Sequence, residues 1–186
     1  AKKRKGAAKL VQRDVVRIVT PGTLVEDELL DARAPSFLAA LAIEGDGDDA
    51  ALAWLELASG HFRTLATTRS TLATELARLA PQELLAAESV IADPAVAPAL
   101  ADWRDRLVPL EAHQLAAGAG AERLRRAYGV ESLDGFGTFT AAELGAAGAV
   151  LAYVELTQKG AMPGLQPLSS QTVEGRLALD PATRRN

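Results

Sequence analysis

The sequence predicts an α/β protein in which three antiparallel strands are followed by parallel strands in one mixed sheet, with helices flanking it. Three observations carry this. Phe37–Ile43 and Ala51–Leu57 are nearly continuous apolar runs, separated by the polar, glycine-containing stretch Glu44-Gly-Asp-Gly-Asp-Asp49. A third run, His61–Ala66, follows across Ser59-Gly60. Beyond it the period changes: Leu72, Leu76 and Leu79 stand at i, i+4, i+7, and Glu83–Glu88 then turns apolar again. Short apolar runs bounded by Gly and Asp read as strands joined by hairpins. A strand–helix–strand succession implies a right-handed crossover and parallel pairing. The unbroken apolar character of the first two strands suits burial on both faces.

At 186 residues the chain has room for one ordinary domain and flanking pieces. Hydrophobic residues make up 48% and charged residues 24%, so a core of useful size is available. Aromatics are only 4%, so that core must be built from Ala, Leu and Val. The net charge of −4 provides no global basic field to recruit nucleic acid. The lack of Cys excludes disulfides, thiolate zinc sites and a cysteine nucleophile, and fits a reducing, cytoplasmic location. No run of about 18 apolar residues, the length a membrane helix needs, is present. Ala1-Lys-Lys-Arg-Lys5 is followed by no apolar signal-peptide core. With no initiator Met, the chain is expected to be a processed chain or a piece of a longer one.

In order, Ala1–Gln12 is basic and rich in small residues and reads as a solvated linker, the alternative being a nucleic-acid or localisation patch. Arg13–Val19 is β-branched and extended, and Thr20-Pro21-Gly22-Thr23 ends it. Glu26–Arg33 is one helical turn or a loop. After the three-strand meander, Thr68–Leu79 is an amphipathic helix closed by Pro81, and Glu83–Glu88 is a fourth strand. Asp93-Pro94 opens a helix running to about Asp105, with Pro98 interrupting its first turns. Leu107–Glu111 is an edge strand because of Pro109. Gln114–Gly120 is a small-residue loop, Ala121–Tyr128 a short helix, and Val130–Gly137 turns at its glycines. Thr140-Ala-Ala-Glu143 has capping-box form and heads the longest helix, to about Gln158. Its Gly145 and Gly148 allow close approach of another backbone, with packing on the sheet preferred to helix dimerisation. Met162–Ser170 is a connector and Gln171–Leu179 an extended stretch. Asp180-Pro181 starts a further helix. The central domain is placed at 27–160.

Candidate chemistry is sparse. A meander followed by strand–helix units is how RNase H-like nucleases begin, and their chemistry needs clustered carboxylates on two Mg²⁺ ions. The candidates are Glu44, Glu56, Glu88, Glu111 and Asp134, but the first strand carries no acid in its middle. His61 and His113 read as isolated, which argues against a metal site or a histidine-driven triad. Gly135-Phe-Gly137 lacks the third glycine of a dinucleotide loop, and no GxxxxGK[ST] is present. Trp54 and Trp103 read as core. Arg123, Arg125, Arg126 and Arg184-Arg185 form a solvated face, with contact to phosphate or an acidic partner at Arg123 and Arg126 as the functional alternative.

Four stretches carry a resemblance that spans essentially the whole chain. Arg13-Asp-Val-Val-Arg-Ile-Val-Thr-Pro-Gly-Thr23 resembles the end of the mismatch-recognition domain of the MutS DNA mismatch-repair family, leading into its connector domain. Leu55-Glu-Leu-Ala-Ser-Gly-His-Phe62 is similar to the family's strand–Ser-Gly–strand hairpin. Asp134-Gly-Phe-Gly137, with the Ala/Gly-rich helix to Thr157-Gln158, resembles the end of the connector. Leu179-Asp-Pro-Ala-Thr-Arg-Arg-Asn186 resembles the start of the core, or lever, domain.

The resemblance implies an RNase H-like connector without nuclease residues, at 27–160, between the tail of the mismatch-recognition domain (1–26) and the start of the lever (161–186). The family's Phe-x-Glu mismatch reader would lie upstream and its ATPase downstream, so ATP and Mg²⁺ belong to the longer protein and no cofactor to this chain. The expected role is to couple mismatch recognition to the ATPase and to dock MutL, within a homodimer on mismatched DNA and away from membranes. Arg17, Thr20, Pro21 and Gly22 would form the interdomain junction. The competing readings are a divergent metal-dependent nuclease and a nucleic-acid binder using Lys2–Arg17.

Overall fold

The computed structural model describes residues 35–159 and 162–172. The expected strand at Arg13–Val19, the turn at Glu26–Arg33, the junction residues Arg17, Thr20, Pro21 and Gly22, and the helix at Asp180-Pro181 lie outside those residues.

β1 (Phe37–Ile43), β2 (Asp49–Glu56) and β3 (Phe62–Thr68) form the expected antiparallel meander. Two turns set its register. Glu44 N–H donates to the Asp49 carbonyl at 3.1 Å, and Gly60 N–H to the Glu56 carbonyl at 2.8 Å. α1 (Leu72–Leu79) then leads to β4 (Glu83–Ala87), which pairs in parallel with β1. β5 (Leu107–Leu110) pairs in parallel with β4 and lies at the sheet edge, where Pro109 is tolerated. A sixth strand, β6 (Ser169–Gln171), runs parallel to β3 at the opposite edge. The order is β5-β4-β1-β2-β3-β6, the RNase H-like arrangement with one strand added.

Alanine has little strand preference, yet Ala39, Ala40, Ala51 and Ala53 are wholly buried in β1 and β2. They are strands because both faces are covered. On one face Leu38, Ala40, Ala53, Leu55 and Phe62 meet α4 (Ala117–Tyr128) and α5 (Ala141–Thr157). On the other, Ala39, Leu41, Leu52, Trp54 and Leu65 meet Leu72 and Leu76 of α1 and Leu100 of α3 (Ala97–Leu100).

Several expectations shift. Thr68 belongs to β3, and α1 begins four residues later. The helix expected from Asp93-Pro94 is α3 followed by a 3-10 segment, Ala101–Arg106. Asp93 instead accepts the Ala95 N–H at 2.9 Å, closing a turn ahead of α3, and Pro98 sits in α3's first turn, where a missing N–H costs nothing. Glu88 leaves β4 and opens a single turn, α2 (Glu88–Ile91). The stretch 114–120, read as a loop, is a 3-10 turn at Ala112–Leu115 and then the start of α4. Its glycines are poor helix formers, but tertiary contact overrides this. A Cβ on Gly120 would lie 2.1 Å from the Leu144 carbonyl oxygen, so only glycine lets α4 meet α5 there. The same contact explains α5. It does lie on the sheet, but Gly148 faces Gly120 and Gly145 faces the Leu115 carbonyl. Among the described residues no helix is long and apolar enough to cross a membrane.

Candidate functional site

The capping box at Thr140 holds as read: Thr140 Oγ1 accepts from Glu143 N–H at 3.1 Å, and Glu143 Oε2 from Thr140 N–H at 2.7 Å. The sequence did not show what the other carboxylate oxygen does. Glu143 is 2% exposed, and its Oε1 accepts from the hydroxyls of Thr64 on β3 at 2.8 Å and Ser170 on β6 at 2.5 Å. Desolvating a carboxylate is costly unless donors surround it, and here three do. The signal available in the sequence was an acid in the first turn of a helix that then runs apolar to Val154, on a face that has to bury.

The five candidate carboxylates fall in three places. β1, β4 and β5 are parallel neighbours, so Glu44, Glu88 and Glu111 follow their C-terminal ends at one end of the sheet, all exposed. Glu56 lies at the opposite end, and Asp134 in a 3-10 turn after α4. Among the described residues no group of three or more His, Asp or Glu is arranged to hold a metal ion. The middle of β1, Ala39-Ala40-Leu41, is buried hydrocarbon.

Near the first of these ends, Arg69 Nη1 meets Asp93 Oδ2 at 2.6 Å, and Nη2 reaches the Gly45 carbonyl at 3.3 Å. The Ala95 N–H, and then Arg69, hold the Asp93 carboxyl below its usual range. This pair ties the β1–β2 turn to the start of the α3 region.

At the opposite end, a cleft of about 380 Å³ opens between α1 and the β2–β3 surface. Trp54 and Leu65 line it together with Glu56, His61, Arg63 and Arg78. The hairpin folds His61 back so that its Nδ1 is 3.5 Å from Glu56 Oε2 and 2.8 Å from Ser59 Oγ. Ser59 hydroxyl donates to Glu56. With its one proton given to the carboxylate, Ser59 accepts from His61 Nδ1–H. A hydrolytic relay needs histidine between serine and acid; here serine stands in the middle, so the cluster is a hairpin brace. His113 also has a carboxylate beside it, Glu111 at 3.2 Å, both exposed. Neither histidine is therefore isolated as the sequence suggested, because a turn brings each onto a glutamate. Trp54 is core, and Trp103 is half-buried under the Arg106 guanidinium at 5.6 Å.

Arg123 and Arg126 sit on α4 in different settings. Arg123 Nη1 donates to the Gly148 carbonyl at 3.3 Å, so it helps join the two helices. Arg126 is 75% exposed and 3.9 Å from Glu122, whose nearer partner is Arg125 at 2.7 Å. The hydrogen bond and charge of Arg125 hold the Glu122 carboxyl below its ordinary value.

Comparison with known proteins places this body. A family model described as MutS domain II matches residues 36–166. A DNA mismatch repair protein MutS from Ruegeria sp. (strain TM1040) is 45% identical over 184 residues, covering 99% of this chain and 21% of that protein. The proteins of the same name from Paracoccus denitrificans (strain Pd 1222) and Ruegeria pomeroyi are each 46% identical over 184 residues, covering 99% of the chain and 20% and 21% of those proteins. The chain thus spans about a fifth of the length of these curated relatives. With the domain model matching nearly all of the described body, the chain belongs to the MutS domain II family.

Proposed function

We propose that this chain is the connector module of a DNA mismatch-repair protein. It joins mismatch-binding and ATPase parts carried elsewhere in a longer, cytoplasmic, homodimeric protein on mismatched DNA, offers a surface to MutL, and catalyses nothing itself. The observation that carries this reading is the match to MutS domain II, on a body where Glu56 and Asp134 lie away from the end that carries Glu44, Glu88 and Glu111 and, among the described residues, no three acids or histidines are arranged to hold a metal ion. A two-metal nuclease needs its carboxylates converging on one point. ATP and Mg²⁺ chemistry belongs to the longer protein. The connector spans about 27–160, with 1–26 and 161–186 belonging to its neighbours, and Arg17, Thr20, Pro21 and Gly22 form the junction before it. Arg126, exposed and only loosely paired, is available to an acidic partner or phosphate; Arg123 is largely engaged with α5.

The test is a titration of this chain with MutL, followed by NMR shifts or crosslinks. Shifts confined to one surface support docking, and their absence up to millimolar MutL counts against it. Incubating the pure chain with labelled DNA or RNA and Mg²⁺ or Mn²⁺ tests the alternative. Turnover that disappears in Glu44→Ala would replace the connector reading with a nuclease.

A further inference from the structure

Residues 162–171, after α5, stay on the body. Met162 and Leu165 pack on the core and Leu168 is 1% exposed within it. Gln166 N–H donates to the Gly60 carbonyl at 2.9 Å, and the Tyr128 hydroxyl donates to the Gln166 carbonyl at 2.7 Å. Gly60, at φ +77°, lies so close that a Cβ there would be 1.8 Å from the Gly164 carbonyl oxygen. β6 then adds to the sheet with Ser170 opposite Thr64, and both hydroxyls converge on the same oxygen of Glu143.

We propose that residues 162–171 are a strap clasped to the body by Glu143, so that this stretch moves with the body rather than apart from it. Glu143 is the positioning residue. It is rooted in the first turn of α5 by Thr140, so the strap is referenced to the longest helix as well as to β3. A three-residue edge strand contributes few ladder bonds, and a hydrogen bond to a buried carboxylate is among the stronger single links a chain can make. Opening the clasp would free about ten residues, a tether whose full reach is at most about 33–36 Å. The proposal goes beyond the connector reading and does not depend on MutL.

Hydrogen exchange on the full 186-residue chain tests it. With the clasp closed, the amides of 166–171 exchange slowly. Ser170→Ala removes the strap's side of the clasp while leaving Thr64 and Thr140 on Glu143. It should speed exchange at 166–171 by about tenfold or more and leave β1 and β2 unchanged. Ser170→Thr keeps the hydroxyl and should restore slow exchange. Thr64→Val removes the body's own donor and should not free 166–171 selectively. Unprotected amides at 166–171 in the parent chain would overturn the proposal, as would a Ser170→Ala profile equal to the parent's or a uniform acceleration of the whole sheet.

Discussion

The two layers flanking the sheet share one means of packing and differ in a second. The layer of α1 and α3 relies on bulk alone: Leu72, Leu76 and Leu100 stand on Leu41, Leu52 and Trp54. The layer of α4 and α5 also buries bulk, with Leu124, Val150, Leu151 and Val154 beside Leu55 and Phe62, but it adds approach: Gly120, Gly145 and Gly148 bring backbone onto backbone where α5 meets α4 and the turn before it. Along that seam dispersion contacts come from a short distance between backbones rather than from side-chain size. Both layers should therefore weaken when leucine atoms are removed, and the seam should also fail when atoms are added.

The largest effect is expected from addition. A Cβ on Gly148 would lie 2.3 Å from Gly120 Cα, so Gly148→Ala should cost about 3 kcal/mol or more, although alanine is the better helix former by about 1 kcal/mol. A denaturation midpoint equal to the parent's would show that the helices can part freely, and the contrast would collapse. Removal comes next. Leu76→Ala in the bulk layer and Leu55→Ala beneath α5 are both changes at wholly buried positions. Each should destabilise by roughly 2–4 kcal/mol in urea unfolding. A negligible shift for Leu55→Ala would move β2 to the surface.

A smaller effect, of opposite sign, is expected where α1 ends. Ala80 caps it at φ +47°, with its N–H on the Leu76 carbonyl at 2.8 Å. This is the left-handed conformation that glycine adopts without strain. Ala80→Gly should stabilise by about 0.5–1 kcal/mol; a loss would mean that this cap is not strained. The last effect shows only in alkali. Burial pushes the Tyr128 phenol on α4 from 10.0 up to about 12, with the Leu168 backbone offsetting part of the shift. A raised folded pKa means the folded state holds its proton where the unfolded state has lost it. Stability from this group is thus complete below pH 10 and is lost as pH rises towards 12. Absorbance titration showing ordinary phenol ionisation near pH 10 would place Tyr128 in solvent, and with it the strap that covers it.

The bulk layer was the more legible of the two. Leu72, Leu76 and Leu79 advertise α1 by their spacing, and β1 was bounded to the residue because its apolar run meets polar turns at both ends. The approach layer was harder to read. Gly118 and Gly120 argue locally for a loop, and only Leu144 on a helix two dozen residues later explains why Gly120 sits in α4. β6 escaped for a related reason. Met162–Ser170, with Pro163, Gly164 and Pro167, has no strand pattern of its own, and its order comes from Gly60, Tyr128 and Glu143. That Glu56 lies one strand over and Asp134 in a turn was legible from the strand pattern; that Glu44, Glu88 and Glu111 share one end of the sheet depends on β4 and β5 pairing in parallel beside β1.

Local chemistry sufficed for the meander, the capping box at Thr140, the edge position of Pro109 and the lack of an acid in β1. These depend on residues within a few positions of one another, where turn geometry, side-chain period and capping act directly. The depth of Glu143, the glycine contact between α4 and α5, and the fastening of 162–171 were decided only in three dimensions. Each depends on partners far apart along the chain, whose meeting is fixed by the order in which the strands pair rather than by anything either partner shows alone.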